Sequence, residues 1–298
     1  MNEFKPVTPK ERELITSYVT PGKTQDCDLS FANLCSWHFM TESSYALLHG
    51  QLVIRFRNPQ GEHEYFLPLG EGDFRTIIGE LEAEAHAEGS PLHLRGVLPE
   101  MQEQLEAAFP GMFGYTGNRD YYDYIYRRQD LVELKGKYYQ PKRNHVNKFK
   151  KEYTYAYEAM TPAAVNECLQ FESEWCMRHG YDENENIRLE RQALTFALHH
   201  FEALGLTGGI LRTEGRMAAF TFGAPINGET FGVHYEKADI SIDGAYSAIN
   251  QLFAASLPEQ FLYLNREEDL GIPGLRQAKQ SYHPCLLLEK ATATKLSL

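Results

Sequence analysis

Asp130-Leu-Val-Glu-Leu-Lys-Gly-Lys-Tyr-Tyr-Gln-Pro-Lys-Arg-Asn-His-Val-Asn-Lys-Phe149 lies near the middle of the chain, and its reading decides the fold. The aromatic, β-rich run Tyr121 to Tyr126 leads into it, and Lys135-Gly136-Lys137 breaks the strand pattern. Pro141 then stands where a helix begins, because its missing N–H costs nothing there and its φ is already helical. From Pro141 the helical period puts Lys142, His145, Val146 and Phe149 on one face. Val146 and Phe149 suit a core. Lys142 and His145 on the same stripe need a partner once desolvated. Lys135, Lys137, Arg143, Lys148, Lys150 and Lys151 surround them. Such a run is either a solvated helix face or a local positive site between two halves of the molecule. Phosphates of a tRNA end, a lipid headgroup or coenzyme A would suit the second.

The 298 residues leave room for one large or two medium cores. A hydrophobic content of 43% and a charged fraction of 23% describe an ordinary soluble protein. No apolar run approaches the roughly 20 residues that cross a bilayer, and Met1 to Pro6 lacks the apolar centre of a signal peptide. The expected compartment is the cytoplasm. A formal charge of −12 argues against DNA and other non-specific nucleic-acid binding. It leaves open one tRNA acceptor end docked at a basic patch. The five cysteines lack CxxC spacing and read as reduced thiols. No HExxH, P-loop or G-x-S-x-G pattern occurs, so no metal site is read and neither a P-loop NTPase nor an α/β-hydrolase is expected.

Outward from the centre, the order of elements occurs twice. Before it come helices over 9–18 and 29–37, then strands over 45–49, 51–57 and 63–69. Asp73 caps a helix over 74–88, followed by a strand over 92–97, a helix over 100–109 and one or two strands over 121–134. After it come a strand over 153–157 and helices over 161–179 and 187–204. Three strands follow over 208–212, 217–224 and 230–236, with Glu214-Gly215 as a hairpin turn. The close is a helix over 246–257, a strand over 261–264, a helix over 274–282 and a strand over 286–290. The expected fold is α+β, with two mixed central sheets flanked by helices. The expected division is 1–135, a connecting basic helix over 136–152, and 153–298, the two units sharing an interface around that helix.

The order of elements over 153–298 resembles the GNAT, or N-acetyltransferase-like, fold. Two such units in tandem resemble the Fem-type aminoacyltransferases. The central stretch, His234-Tyr-Glu-Lys-Ala238, Asn265-Arg-Glu-Glu-Asp-Leu-Gly271 and Gly274-Leu-Arg-Gln-Ala-Lys-Gln-Ser-Tyr282 together resemble the C-terminal domain of bacterial phosphatidylglycerol lysyltransferases. The resemblance covers nearly the whole chain and implies an acyltransferase with aminoacyl-tRNA as donor. An acetyl-CoA-dependent enzyme acting on a small amine is the alternative. A non-catalytic module for an anionic metabolite or lipid headgroup is the third. The acceptor is a small molecule, peptide or headgroup carrying an amine or hydroxyl. In acetyl-CoA-using GNAT enzymes a glycine-rich turn cradles pyrophosphate at a helix N-terminus. Here that turn reads Asp239-Ile-Ser-Ile-Asp-Gly-Ala-Tyr246, with two carboxylates that repel such an anion.

Acyl transfer needs a nucleophile relieved of a proton and donors for the tetrahedral oxyanion. Glu267, Glu268 and Asp269 follow a predicted strand end and are candidate bases; the alternative is that they favour the next helix's positive end. Tyr282 is a candidate acid. His234 and Glu236 are further candidates, on one strand face with Tyr235 opposite. Lys142, Arg143, Asn144 and His145 are expected to bind an anionic part of donor or acceptor. Asn265, Arg266 and Asn250 are expected at the pocket, with Arg276 and Lys279 on one helix stripe beside Tyr282.

Overall fold

The structure is a computed structural model that describes residues 3–179 and 185–296. The first sheet's strands begin with β1 (Lys5–Pro6), β2 (Ser44–Leu48), β3 (Gln51–Arg57), β4 (His63–Phe66), β5 (His93–Val97) and β6 (Phe113–Gly117). The second holds β7 (Asp123–Arg127), β8 (Tyr155–Ala159), β9 (Thr207–Thr213), β10 (Arg216–Pro225), β11 (Thr230–Ala238), β12 (Tyr263–Asn265) and β13 (Leu286–Leu288). A last strand, β14 (Ala291–Lys295), returns to the first sheet. Around them lie α1 (Arg12–Val19), α2 (Phe31–Ser36), α3 (His38–Thr41), α4 (Phe74–Ala87), α5 (Pro99–Ala108) and α6 (Arg128–Glu133). The remaining helices are α7 (Gln140–Glu152), α8 (Val165–His179), α9 (Glu185–His199), α10 (Ala245–Ser256) and α11 (Pro273–Gln280).

Local chemistry sets these elements. Asp73 accepts from the Thr76 N–H at 3.1 Å and starts α4, whose Ile77, Ile78, Leu81 and Ala85 are buried. Pro141 lies in the first turn of α7, and Val146 and Phe149 form its buried stripe. Each sheet has one parallel pair, β4 with β5 and β11 with β12. In both cases a helix (α4, α10) crosses between the parallel strands, so the two halves repeat one strand–helix–strand unit.

Three expectations change. Residues 121–134 form one strand and then α6, which Leu134 ends in a left-handed turn (φ 47°). The final strand is two, β13 and β14, divided at Glu289 and Lys290. The sheets also ignore the division at 135 and 153. The orders are β1-β2-β3-β4-β5-β14-β6 and β13-β7-β12-β11-β10-β9-β8. Each half inserts one strand into the other's sheet, where both strand edges find backbone partners. The largest core cluster likewise mixes Ile15, Leu34 and Leu52 with Leu194, Phe220 and Phe222. At roughly 1.5–3 kcal/mol for each fully buried side chain, that shared burial ties the halves together.

Candidate active site

The β11–β12 pair creates the site. Their parallel ladder joins Thr230, Phe231 and Gly232 to Tyr263, Leu264 and Asn265, then stops while β11 runs on to Ala238. Beyond that point β11 also bulges, with Phe222 opposite Tyr235 and Gly223 opposite Val233, so His234 is the extra residue. A Cβ at Gly223 would lie 1.8 Å from the Gly232 oxygen, so only glycine fits this crossing. Divergence at the carboxyl ends of parallel strands leaves a crevice. Side chains span it where the backbone does not.

On the α10 side, Arg266 Nη2 donates to Glu236 Oε1 at 2.9 Å, and Asn250 Nδ2 donates to Glu236 Oε2 at 3.2 Å. Arg266 lies 4.8 Å from the Tyr282 ring centre and Lys142 Nζ 4.1 Å from it. The Tyr282 hydroxyl donates to Ser247 at 3.4 Å, and burial raises its pKa. Lys142 has no acidic partner among the described residues. Burial, with Arg266 adding repulsion, pulls its ammonium down to about 8. Arg266 Nη1 and Asn250 Oδ1 are buried without a hydrogen-bond partner among the described residues. A pocket of about 250 Å³ opens at the head of α10, lined by Lys142, His145, Ile240, Asp243, Tyr246 and Ser247. Gly244 (φ 82°) lets α10 approach α7, since a Cβ there would meet the His145 carbonyl at 2.5 Å.

On the α2 side, His234 Nδ1 lies 2.8 Å from Glu267 Oε1, and its Nε2 lies 3.0 Å from Ser30 Oγ. Asn33 Nδ2 also donates to Glu267 Oε1, at 2.9 Å. The bulge thus overturns the expected strand faces. His234 and Tyr235 both turn toward α2, where Tyr235 joins the shared core, while Glu236 turns toward α10.

Deeper on this side, Lys290 Nζ lies 2.9 Å from Asp123, 3.1 Å from Asp26 and 3.1 Å from Asp28. Burial pushes Asp26 up to about 7 and the neighbouring Glu268 up to about 8. Asp26, Cys27 and Asp123 bring metal-ligand atoms together. The Lys290 ammonium already supplies the positive charge there.

Other expected site residues have structural duties. Asp269 is fully buried and accepts from Arg119, Tyr124, Arg276 and the Gly271 N–H. Burial alone would raise its carboxyl, but those hydrogen bonds hold it below the usual range. Both of its oxygens are occupied. Arg276 also reaches Asp120, so it leaves the stripe expected with Lys279 and Tyr282. Arg143 donates to the carbonyls of Leu134 and Gly136, fastening the turn before α7. Asn144 is exposed, and His145 is exposed at the pocket rim, 3.6 Å from Asp243, rather than buried. Asn265 is buried, bonded to Gln25 and Asp123, and accepts from the Glu267 N–H. Lys279 is buried and donates to the carbonyls of Arg266 and Glu267. Both carboxylates of the α10 turn are paired, Asp239 with Arg178 and Asp243 with Lys148, which weakens the repulsion expected there. Ser30, Asn33 and Lys290 carried no local signal, because distant segments bring them to the crevice.

Two sheets with a splayed parallel pair and strand–helix–strand closes make a tandem GNAT-like fold. A tandem GNAT protein from the clavulanic acid biosynthesis pathway superposes with TM-score 0.53 at 9% identity, over 100% of both chains. The sequence profile of the family "Phosphatidylglycerol lysyltransferase, C-terminal" matches residues 20–293, and the chain belongs to that family. The L-PGS structure from Bacillus licheniformis is similar in fold, with TM-score 0.67 and 17% identity over 99% of this chain and 94% of that one. A conserved protein of unknown function from Bacteroides thetaiotaomicron is 48% identical, with TM-score 0.97 over 99% of this chain and 100% of that one. No curated protein matches the sequence. Among the described residues, no helix is long and apolar enough to cross a membrane.

Proposed function

We propose that the protein transfers an aminoacyl group from aminoacyl-tRNA to an amine or hydroxyl acceptor. One observation carries the reading: the α10 side of the crevice presents unmatched donors and acceptors side by side. Among the described residues Lys142 Nζ makes no ion pair and feels the Glu236 charge only at longer range, Arg266 Nη1 has no acceptor, and Asn250 Oδ1 has no donor. Buried polar groups are mostly paired; eight buried side-chain atoms among the described residues are not, and Arg266 Nη1 and Asn250 Oδ1 are two of them, on side chains that both bond the Glu236 carboxylate. An aminoacyl ester fits that set. Its carbonyl accepts from Arg266 and Lys142, and its α-ammonium donates to Asn250 Oδ1 beside the Glu236 carboxylate. An acetyl group has no ammonium to offer. The same donors face the oxyanion that develops as the carbonyl is attacked.

Titration calorimetry with charged tRNA, uncharged tRNA and acetyl-CoA at moderate salt tests this. Preference for charged tRNA, abolished by Lys142→Ala, supports the aminoacyl donor. Arg143→Ala is a poor probe because Arg143 holds a turn. Coenzyme A binding without tRNA binding would replace the reading with an N-acetyltransferase, for which the pocket at the head of α10 favours an anion. Ligand binding without turnover would indicate a binding module for an anionic metabolite or lipid headgroup.

A further inference from the structure

Ser30, His234 and Glu267 form a series that resembles a hydrolytic triad but runs in the opposite direction. In a serine nucleophile system the hydroxyl is the reachable end and the acid the buried one. Here Ser30 is fully buried and the His234 side chain is 1% exposed, whereas the Glu267 side chain is 24% exposed. The reachable end is the carboxylate. With a neutral ring, Nδ1 carries the proton toward Glu267, because a carboxylate only accepts, and Nε2 accepts from the Ser30 hydroxyl. The carboxylate therefore fixes the tautomer, and Ser30 holds the ring's other end.

We propose that Glu267 takes the proton from the acceptor nucleophile, with His234, Ser30 and Asn33 as positioning residues; this rests on the acyl transfer inferred above. His234 and Asn33 both bond Oε1. Among the described residues no partner engages Oε2, which is left for the acceptor. The Glu267 backbone is held as firmly: its N–H donates to Asn265 Oδ1 at 2.6 Å, and its carbonyl accepts from the Tyr124 N–H at 3.1 Å. Ser30 and Asn33 come from the N-terminal half of the chain and His234 from the C-terminal half, so the base is assembled only when the halves pack.

In the step, an ammonium acceptor gives one proton to Glu267 Oε2, which frees the nitrogen lone pair to bond the donor's ester carbonyl carbon. The ester C–O bond then breaks, and the departing ribose oxygen takes that proton from Glu267. The nitrogen sheds its remaining extra proton to water, leaving a neutral amide, so atoms and charges balance with one proton released.

The test compares two acceptors with aminoacyl-tRNA as donor. Ethanolamine is almost wholly ammonium at neutral pH and needs a base. Hydroxylamine is largely unprotonated and has far less need of one. Glu267→Gln keeps an oxygen for His234 and Asn33 and is expected to lower kcat with ethanolamine by about 100-fold, the usual scale for a general base. Hydroxamate formation should persist. His234→Gln and Ser30→Ala should lower kcat for ethanolamine by less than Glu267→Gln does, because they only position the base, with KM unchanged and hydroxylamine spared. Equal loss with both acceptors, or no loss with either, overturns the assignment. So does wild-type transfer to hydroxylamine alone. Wild-type transfer to neither acceptor removes the aminoacyl donor itself, and the proposed base falls with it.

Discussion

Replacing Lys142 by methionine should stabilise the fold while removing the proposed acyl transfer. The lysine pKa falls from 10.5 to about 8, and at about 1.36 kcal/mol for each tenfold change the charged form is disfavoured by roughly 3 kcal/mol. That is an upper bound, because the side chain is only part-buried and solvent screens it. The contact with Tyr282 at 4.1 Å opposes it, by about 0.5–2 kcal/mol. Methionine keeps some of that contact through its thioether. A net gain of about 1 kcal/mol remains, a rise in Tm of about 2 °C for a chain of this size. The sign is fixed by proton counting. Between pH 8 and 10.5 the unfolded lysine holds a proton that the folded one has released, so wild-type stability rises across that window. The advantage of Lys142→Met is therefore complete below about pH 8 and gone near 10.5. Urea unfolding of both proteins across neutral to alkaline pH measures it. A variant less stable than wild type at neutral pH would refute the claim that this ammonium lacks a compensating partner.

Glu268 and Lys290 give further tests. Glu268 is raised from 4.5 to about 8, so the folded form keeps a proton the unfolded form loses, and wild-type stability should fall as pH rises across that window. Glu268→Gln should flatten that decline in denaturation measurements; an unchanged slope would rule Glu268 out as its source. Lys290→Met leaves three carboxylates without their shared ammonium and should cost about 3–5 kcal/mol. Adding Asp123→Asn should recover part of that loss in urea titrations, and no recovery would contradict direct pairing.

Much was legible without the third dimension. The period of Lys142, Val146 and Phe149 gave α7 its buried face, Asp73 its cap gave α4 its start, and the doubled order of elements gave two mixed sheets. These are local matters, set by dihedral preference, capping and spacing within a few residues. The sequence also placed Arg266, Glu267 and Lys279 in one neighbourhood, because they follow one strand.

Roles were another matter. Glu267, Glu268 and Asp269 are equivalent as letters, yet one is clamped at a single oxygen, one is pushed toward its protonated form and one is locked by two arginines. Their neighbours come from residues 28, 33, 119, 234 and 276, which no periodicity links. His234 faces away from Glu236 because a bulge adds one residue to β11, and alternation in sequence carries no mark of it. Local sequence determined the elements and the core faces. Tertiary structure decided strand exchange, bulge register and the partners of each acid, because those depend on edges, desolvation and groups that meet only after the chain has folded.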